Sequence, residues 1–241
     1  MYQHLTKNVF LKRAKITISQ VPDTIIIYGG YNRRKFSDEW ISQWKDYLKI
    51  PWFFGIEIGE YHRKRVGFAI AYGPSMVGEI VHIFCVLGTK QIILVGSFGG
   101  LQSDIKFGDI LIPTSASRED GVSDLYIDKK IGVKPNTQLI KNVAKKLKNV
   151  KIHFGKIVTT CVMSAETQQQ IKEWHKKGYI GVDLETATVF AVAQHFNAKA
   201  ISILTMADNL YAGETVFDRD RSQKEKRDAT LNYILQIVSN F

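Results

Sequence analysis

Two acids flank one predicted helix and strand, where their carboxyl groups could do chemistry. Apolar and small residues recur at helical spacing over 184–195, and a mostly apolar, β-branched run of strand length follows over 200–206. Glu185 falls with Asp183 in the opening turn of the helix, where the helix dipole favours carboxylates. Asp208 falls just past the carboxyl end of the strand, where open α/β sheets bind ligands. The segment therefore predicts a ligand site, although a capping acid and a turn acid would have the same spacing.

Two glycine-containing turns could bind an anion. One predicted strand ends at Gly29, with Arg33 close behind and a helical pattern over 36–48. Such a turn exposes backbone N–H groups beside a helix N-terminus, and arginine adds a forked cation. The predicted strand over 91–95 leads into the second turn, where Ser97 offers a hydroxyl. Neither turn has the Walker or dinucleotide pattern, and either could be a plain strand exit.

The remaining periodic segments alternate between strand and helix, which predicts a mixed α/β sheet covered on both faces. At 241 residues the chain can bury one sizeable core, so we expect a single domain spanning 1–241. Polar loops are expected over 114–128 and 209–224. The other predicted elements are strands over 52–60, 65–71, 109–113 and 152–162 and helices over 77–87, 138–148, 166–176 and 229–237.

Composition narrows the classes of partner. No apolar run approaches membrane-spanning length and no signal-peptide pattern opens the chain, so we expect a cytoplasmic protein without a membrane partner. The net charge of +10 comes from scattered residues, and the densest basic run, 141–151, alternates with apolar positions like a solvated helix face. Nucleic acid is therefore not an expected partner. Cys85 and Cys161 lie in apolar or β-rich runs, which predicts buried thiols rather than a disulfide or a metal site.

Four motifs follow one another along the chain: GPS at 73–75, VGSFGGL at 95–101, GDILIP at 108–113 and VDLETA at 182–187. Their order resembles that of the nucleoside phosphorylase family, which contains hexameric purine nucleoside phosphorylases and uridine phosphorylases. The resemblance covers nearly the whole chain. It implies a three-layer α/β sandwich with a mixed, partly barrel-like central sheet. It also implies a pentosyltransferase of nucleotide salvage that needs no metal or cofactor, takes inorganic phosphate as co-substrate and assembles as a dimer or a trimer of dimers.

Five positions match residues of the family that bind phosphate and ribose. Gly29, Arg33 and Ser97 match its phosphate-binding residues, and Leu184 and Glu185 match its ribose clamp. A carboxylate suits a vicinal diol because its two oxygens can accept both hydroxyl protons, and its charge stabilises a cationic sugar.

The positions that match the base pocket favour a purine. Asp208 matches the acid that faces purine N7, whereas uridine phosphorylases read the base with a glutamine and an arginine that have no clear counterpart here. Met163 falls where the family stacks an aromatic ring on the base. Arg227 resembles the arginine that moves in to assist the acid, with Arg221 as the competing candidate. His4 resembles the N-terminal histidine that reaches the ribose pocket of a neighbouring subunit.

The chain departs from the family at two phosphate-binding arginines, which are replaced by Leu94 and Trp52. Because removing one preorganised donor from an anion costs about 3 kcal/mol, these replacements weaken the case for phosphate as the nucleophile. We expect an enzyme that cleaves the N-glycosidic bond of a purine nucleoside with phosphate, giving free base and sugar 1-phosphate. Hydrolysis of the same bond, and a nucleoside-binding protein with a degenerate phosphate site, are the alternatives.

Overall fold

The computed structural model describes residues 5–32, 35–50 and 55–241, with the backbone alone at Lys35. The predictions for His4, Arg33 and Trp52 therefore lie outside the described residues, as does the start of the strand predicted over 52–60.

Nine strands within the described ranges form one mixed sheet in the order β2-β3-β4-β1-β5-β8-β7-β6-β9. Strand β9 also pairs with β5, and this closes β5, β8, β7, β6 and β9 into a barrel. The predicted mixed, partly barrel-like sheet is thus confirmed. The strands are β1 (Thr24–Gly29), β2 (Lys45–Ile50), β3 (Ile56–Tyr61), β4 (Lys64–Ala71), β5 (Gln91–Gly100), β6 (Ile110–Arg118), β7 (Ile152–Thr159), β8 (Gly181–Asp183) and β9 (Lys199–Asn209).

Seven helices over the same ranges are α1 (Lys7–Ala14), α2 (Lys35–Ile41), α3 (Pro74–Leu87), α4 (Thr137–Lys146), α5 (Gln168–Lys176), α6 (Thr186–His195) and α7 (Arg221–Val238). Helices α1, α3 and α6 pack on one face of the sheet, and α2, α4 and α7 pack on the other. Strand β1 is buried on both sides for this reason, with Ile25 and Ile27 facing one helix layer and Ile26 and Tyr28 the other. The three-layer arrangement is confirmed. None of the described helices has the length and apolar character needed to cross a bilayer.

The helix predicted over 36–48 is wrong in its second half. Helix α2 ends at Ile41, and the chain continues into β2, which pairs antiparallel with β3. Strand β2 is the edge of the sheet and is largely exposed, so its sequence lacks the apolar run of a central strand. Trp40 and Trp44 are buried as either pattern requires, and spacing alone could not separate the two structures.

Two strands run further than predicted. Strand β5 continues through the second glycine turn to Gly100, because β9 and β8 pair with the glycines there. Strand β6 continues to Arg118, into the segment predicted as a polar loop, because β7 pairs with it along this length. The hairpin of β3 and β4 is confirmed for the described residues.

The two cysteines differ from the prediction of buried thiols. Strand β7 ends at Thr159 rather than continuing to Val162, so Cys161 lies beyond it and is exposed. Cys85 is partly buried on α3, and burial raises the pKa of its thiol to about 12.

Candidate active site

A cavity of about 390 Å³ opens at the ends of β1, β5, β8 and β9, where the segment between β9 and α7 meets them. It brings together residues that are far apart in sequence. The residues predicted for the site that line it are Gly29, Ser97, Met163, Leu184, Glu185, Asp208 and Arg227.

A bulge in β9 places Asp208 at this cavity. The pairing of β5 with β9 shifts between Phe98 and Gly99, which leaves Ala207 without a partner of its own. Such bulges re-aim the side chains beside them. A Cβ at Gly99 would lie 3.2 Å from Asp208 Oδ1 and 2.6 Å from Leu210 Cδ1, so glycine leaves room for the carboxyl group. Asp208 is the second-to-last residue of β9, where it pairs with Gly99, and does not lie past the strand end as predicted.

Glu185 is held between two glycines. It is the N-cap residue of α6, and its buried Oε1 accepts a hydrogen bond of 2.7 Å from the backbone N–H of Gly73. Gly73 has a φ of 80°, a left-handed value that favours glycine. Glu185 Oε2 lies 3.4 Å from where a Cβ at Gly29 would be, so the backbone of β1 comes close to the second oxygen.

Of the two acids Asp183 and Glu185, Asp183 is the one whose side chain caps the helix. It ends β8 rather than opening the helix, and its carboxyl accepts from the Thr159 hydroxyl at 2.6 Å and from the backbone N–H of Thr186 at 3.0 Å. Burial raises the pKa of Asp183 to about 6, and these donors oppose the shift because they favour the charged form. Burial first, and then the negative charge of Asp183, raise the pKa of Glu185 above its usual value. The capping alternative therefore holds for Asp183, whereas Glu185 retains an oxygen beside the cavity.

Asp208 is surrounded by opposing influences. Burial raises its pKa to about 6, against the positive charge of Arg219, the backbone N–H of Val216 and the charge of Arg227. Arg219 lines the cavity and was missed by sequence reasoning. The competing candidate Arg221 is not among the lining residues, and its side chain is 92% exposed at the start of α7.

Arg227 reaches across from α7 to the hydroxyl on β5. Its Nε donates to Ser97 Oγ at 3.2 Å, and a second guanidinium nitrogen contacts Asp228 at 3.1 Å. Leu94 is fully buried in the same strand, and its Cδ1 lies 3.6 Å from where a Cβ at Gly29 would be. The guanidinium group near Ser97 thus comes from the helix layer, not from β5.

Glu166 is a further carboxyl group that sequence reasoning did not single out. It lines the cavity, and its Oε1 accepts from the Thr160 hydroxyl at 3.0 Å. Burial, and then the charges of Asp208 and Asp183, raise its pKa to about 7. The sequence does contain a signal that places Glu166 before the helix, because Thr167 and the glutamine three residues later form a capping box. This box starts α5 at Gln168 rather than at Glu166, and leaves Glu166 on the preceding loop.

Two tyrosines stand beside these acids. The rings of Tyr31 and Tyr72 stack with centroids 3.9 Å apart, and both residues line the cavity. Tyr31 is 68% exposed. Burial raises the pKa of Tyr72, and the contact with Tyr31 adds to this shift. The Tyr72 hydroxyl therefore stays neutral, and the stacked pair forms one wall of the cavity.

The chain is similar in sequence and in fold to known proteins. Purine nucleoside phosphorylase DeoD-type 2 of Photobacterium profundum is 28% identical over 210 residues, covering 83% of this chain and 87% of that protein. Purine nucleoside phosphorylase DeoD-type of Thermoanaerobacter sp. (strain X514) is 27% identical over 214 residues, covering 85% and 90%. The crystal structure of uridine phosphorylase from Vibrio fischeri ES114 has the same fold, with a TM-score of 0.79 at 21% identity over 92% of both chains.

The sequence profile of the phosphorylase superfamily matches residues 39–239, which is most of the chain. The resemblance to the nucleoside phosphorylases is therefore confirmed, together with the expectation of a pentosyltransferase-type enzyme. The chain belongs to the phosphorylase superfamily.

Proposed function

We propose that the protein cleaves the N-glycosidic bond of a purine nucleoside by attack of phosphate, releasing the free base and a sugar 1-phosphate. Three kinds of functional group line one cavity, and this observation supports the proposal. These are the buried carboxyl group of Glu185, the buried acid Asp208 and the hydrogen-bonded pair of Arg227 and Ser97. Each suits one part of the substrates.

Glu185 is the proposed sugar-binding group. Two oxygens can accept protons from a vicinal diol, and a negative charge stabilises the cationic sugar that forms as the glycosidic bond stretches. The hydrogen bond from Gly73 holds the carboxyl in place before substrate arrives, so little reorganisation is needed. Leu184 adds an apolar contact beside it.

Asp208 is the proposed general acid. As phosphate oxygen bonds to the anomeric carbon, the electron pair of the broken bond goes to the base, and Asp208 donates its proton to N7. With a pKa of about 6, about one molecule in ten is protonated at pH 7, far more than for an exposed aspartate. Met163, Phe98 and Val182 offer apolar surface for the base. The names of both curated relatives support a purine.

Arg227 and Ser97 are proposed to bind phosphate together with the backbone at Gly29. Arg227 supplies a cation beside the hydroxyl although Leu94 occupies the position of a family arginine. Arg33 is the second proposed cation.

Hydrolysis is the second candidate, because buried Leu94 removes one cation from the phosphate site. Purified protein should be incubated with adenosine or inosine, with and without phosphate, and the sugar product identified. Sugar 1-phosphate that forms only with phosphate supports phosphorolysis. Free sugar formed equally without phosphate would replace it with hydrolysis, and bound but unchanged nucleoside would leave a binding protein.

We also propose a homo-oligomer in which His4 completes the ribose pocket of a neighbouring subunit. The support is the family resemblance, since hexameric members share sites in this way. Light scattering of the purified chain tests the assembly.

A further inference from the structure

We propose that Glu166 is a second base-reading group, which together with Asp208 makes the enzyme prefer 6-aminopurine nucleosides to 6-oxopurine nucleosides. This inference rests on the proposed function, because it takes the cavity as a purine site in which Asp208 faces N7. It goes further by naming the substituent that the site selects.

Glu166 is built into the cavity wall. The Thr160 hydroxyl holds its Oε1 at 3.0 Å, and the backbone N–H of Thr160 donates to the Asp183 carbonyl at 2.9 Å. The loop that carries Glu166 is thus tied to β8, the strand that leads to Glu185. Among the described residues no hydrogen bond to Glu166 Oε2 is formed, so one oxygen remains for a ligand.

The groups around Glu166 keep a proton in the site. The acids that face it are Asp208 and Asp183, and the Tyr72 hydroxyl is close enough to be affected by its charge. Arg219 and Arg227 are the cations that act on Asp208. With pKa values of about 7 for Glu166 and about 6 for Asp208, the two carboxyl groups together retain roughly one proton slightly below neutral pH.

One proton on two carboxyl groups gives one hydrogen-bond donor and one acceptor. Purine N7 accepts a hydrogen bond, and the neighbouring substituent at C6 donates one if it is an amine but accepts one if it is an oxo group. Because Glu166 has the higher pKa, the proton lies mainly on Glu166 in the free site. A 6-aminopurine selects the arrangement with the proton on Asp208, in which Asp208 donates to N7 and Glu166 accepts from the amine. A 6-oxopurine has two acceptors, N7 and the oxygen, and one proton can satisfy only one of them.

The size of the preference follows from the cost of an unmatched polar group in a desolvated site. We therefore expect kcat/KM for adenosine to exceed that for inosine by about 10- to 100-fold. The two nucleosides carry the same ribose, and the comparison therefore isolates the base.

The test is the ratio of kcat/KM for adenosine to that for inosine in the wild type and in Glu166→Gln. Glutamine can turn its amide N–H towards an oxo group, so the ratio should fall about tenfold or more, with part of the change an absolute gain on inosine. Glu173→Gln, on the exposed face of α5, is the matched control and should leave the ratio unchanged. Thr160→Val, which frees Glu166 without replacing it, should lower the ratio by a smaller factor.

A wild-type ratio near one, or an unchanged ratio in both Glu166→Gln and Thr160→Val while each nucleoside is still cleaved, would overturn the inference and leave the proposed function intact. If the wild type cleaves neither nucleoside, the proposed function fails and the preference falls with it. Thermal melting of each variant shows whether a loss of both activities reflects unfolding, and Thr160→Val then decides the result.

Discussion

Replacing Glu185 by glutamine should remove most of the activity and leave the protein folded. The amide oxygen can still accept the Gly73 N–H that Oε1 accepts at 2.7 Å, so the local structure keeps its hydrogen bond. The variant loses one acceptor for the ribose diol. It also cannot ionise when the cationic sugar forms, whereas that positive charge favours the ionised form of Glu185 against the burial that raises its pKa. Removing one such stabilising group costs about 10²- to 10³-fold in kcat, and we expect kcat/KM for adenosine to fall by that factor.

The same variant should gain stability relative to the wild type as the pH rises. Burial and the charge of Asp183 raise the pKa of Glu185 in the folded state, so the folded protein binds more protons than the unfolded chain between the two pKa values. Stability is therefore fully present below the unfolded pKa and is lost as the pH rises through the folded pKa. Glutamine cannot ionise, and the difference in Tm in favour of the variant should grow from about pH 5 to about pH 9.

Steady-state kinetics and thermal melting across this pH range measure both effects, with Asp183→Asn as the control. Its carboxyl accepts from Thr159 and Thr186, and an amide would face these donors with its own N–H groups. Asp183→Asn should therefore lose about 1–3 kcal/mol of stability, and its Tm should fall. Near-normal turnover by Glu185→Gln would refute its assignment to the sugar. A Tm below that of the wild type at every pH would refute the argument from burial.

Four further predictions concern the base, the phosphate and the assembly. Asp208→Asn should lower kcat/KM for adenosine by about 10²- to 10⁴-fold and spare N7-methylated purine nucleosides, which need no proton; equal losses would mean that Asp208 only supports the pocket. Because the protonated form is the acid, wild-type kcat/KM for adenosine should decline as the pH rises above about 6, and that for N7-methylated substrates should not. Arg227→Ala should raise the KM for phosphate more than the KM for nucleoside, whereas Arg219→Ala should not; parallel changes in both constants would point to a structural role for Arg227. Deleting residues 1–5 should weaken nucleoside binding in calorimetry without lowering the Tm, and a fully active monomer in light scattering would contradict shared sites.

Most elements of the fold could be predicted from hydrophobic periodicity, but their limits could not. The helical spacing that includes Trp40 and Trp44 continues to Leu48, which lies in β2, and β2 is a strand only because β3 lies beside it. The glycines after Val95 suggested a turn, yet β9 and β8 supply partners that keep β5 extended to Gly100. In each case the deciding hydrogen bonds come from residues distant in sequence, which a local pattern does not contain.

By itself the sequence determined the superfamily and singled out seven residues that line the cavity, namely Gly29, Ser97, Met163, Leu184, Glu185, Asp208 and Arg227. Ser97, Leu184 and Glu185 lie in short motifs, where residue type and spacing are themselves the signal.

Only the tertiary structure decided which further charged groups join them. Arg219 acts on Asp208 together with the expected Arg227, whereas Arg221 does not line the cavity. Glu166 lines the cavity from the loop after β7, and Arg227 also contacts the hydroxyl on β5. These groups come from loops and a helix that surround the barrel, and their place depends on the shifted register of β5 with β9 and on the packing of α7. Such long-range packing has no local periodicity, so a sequence pattern cannot reveal it.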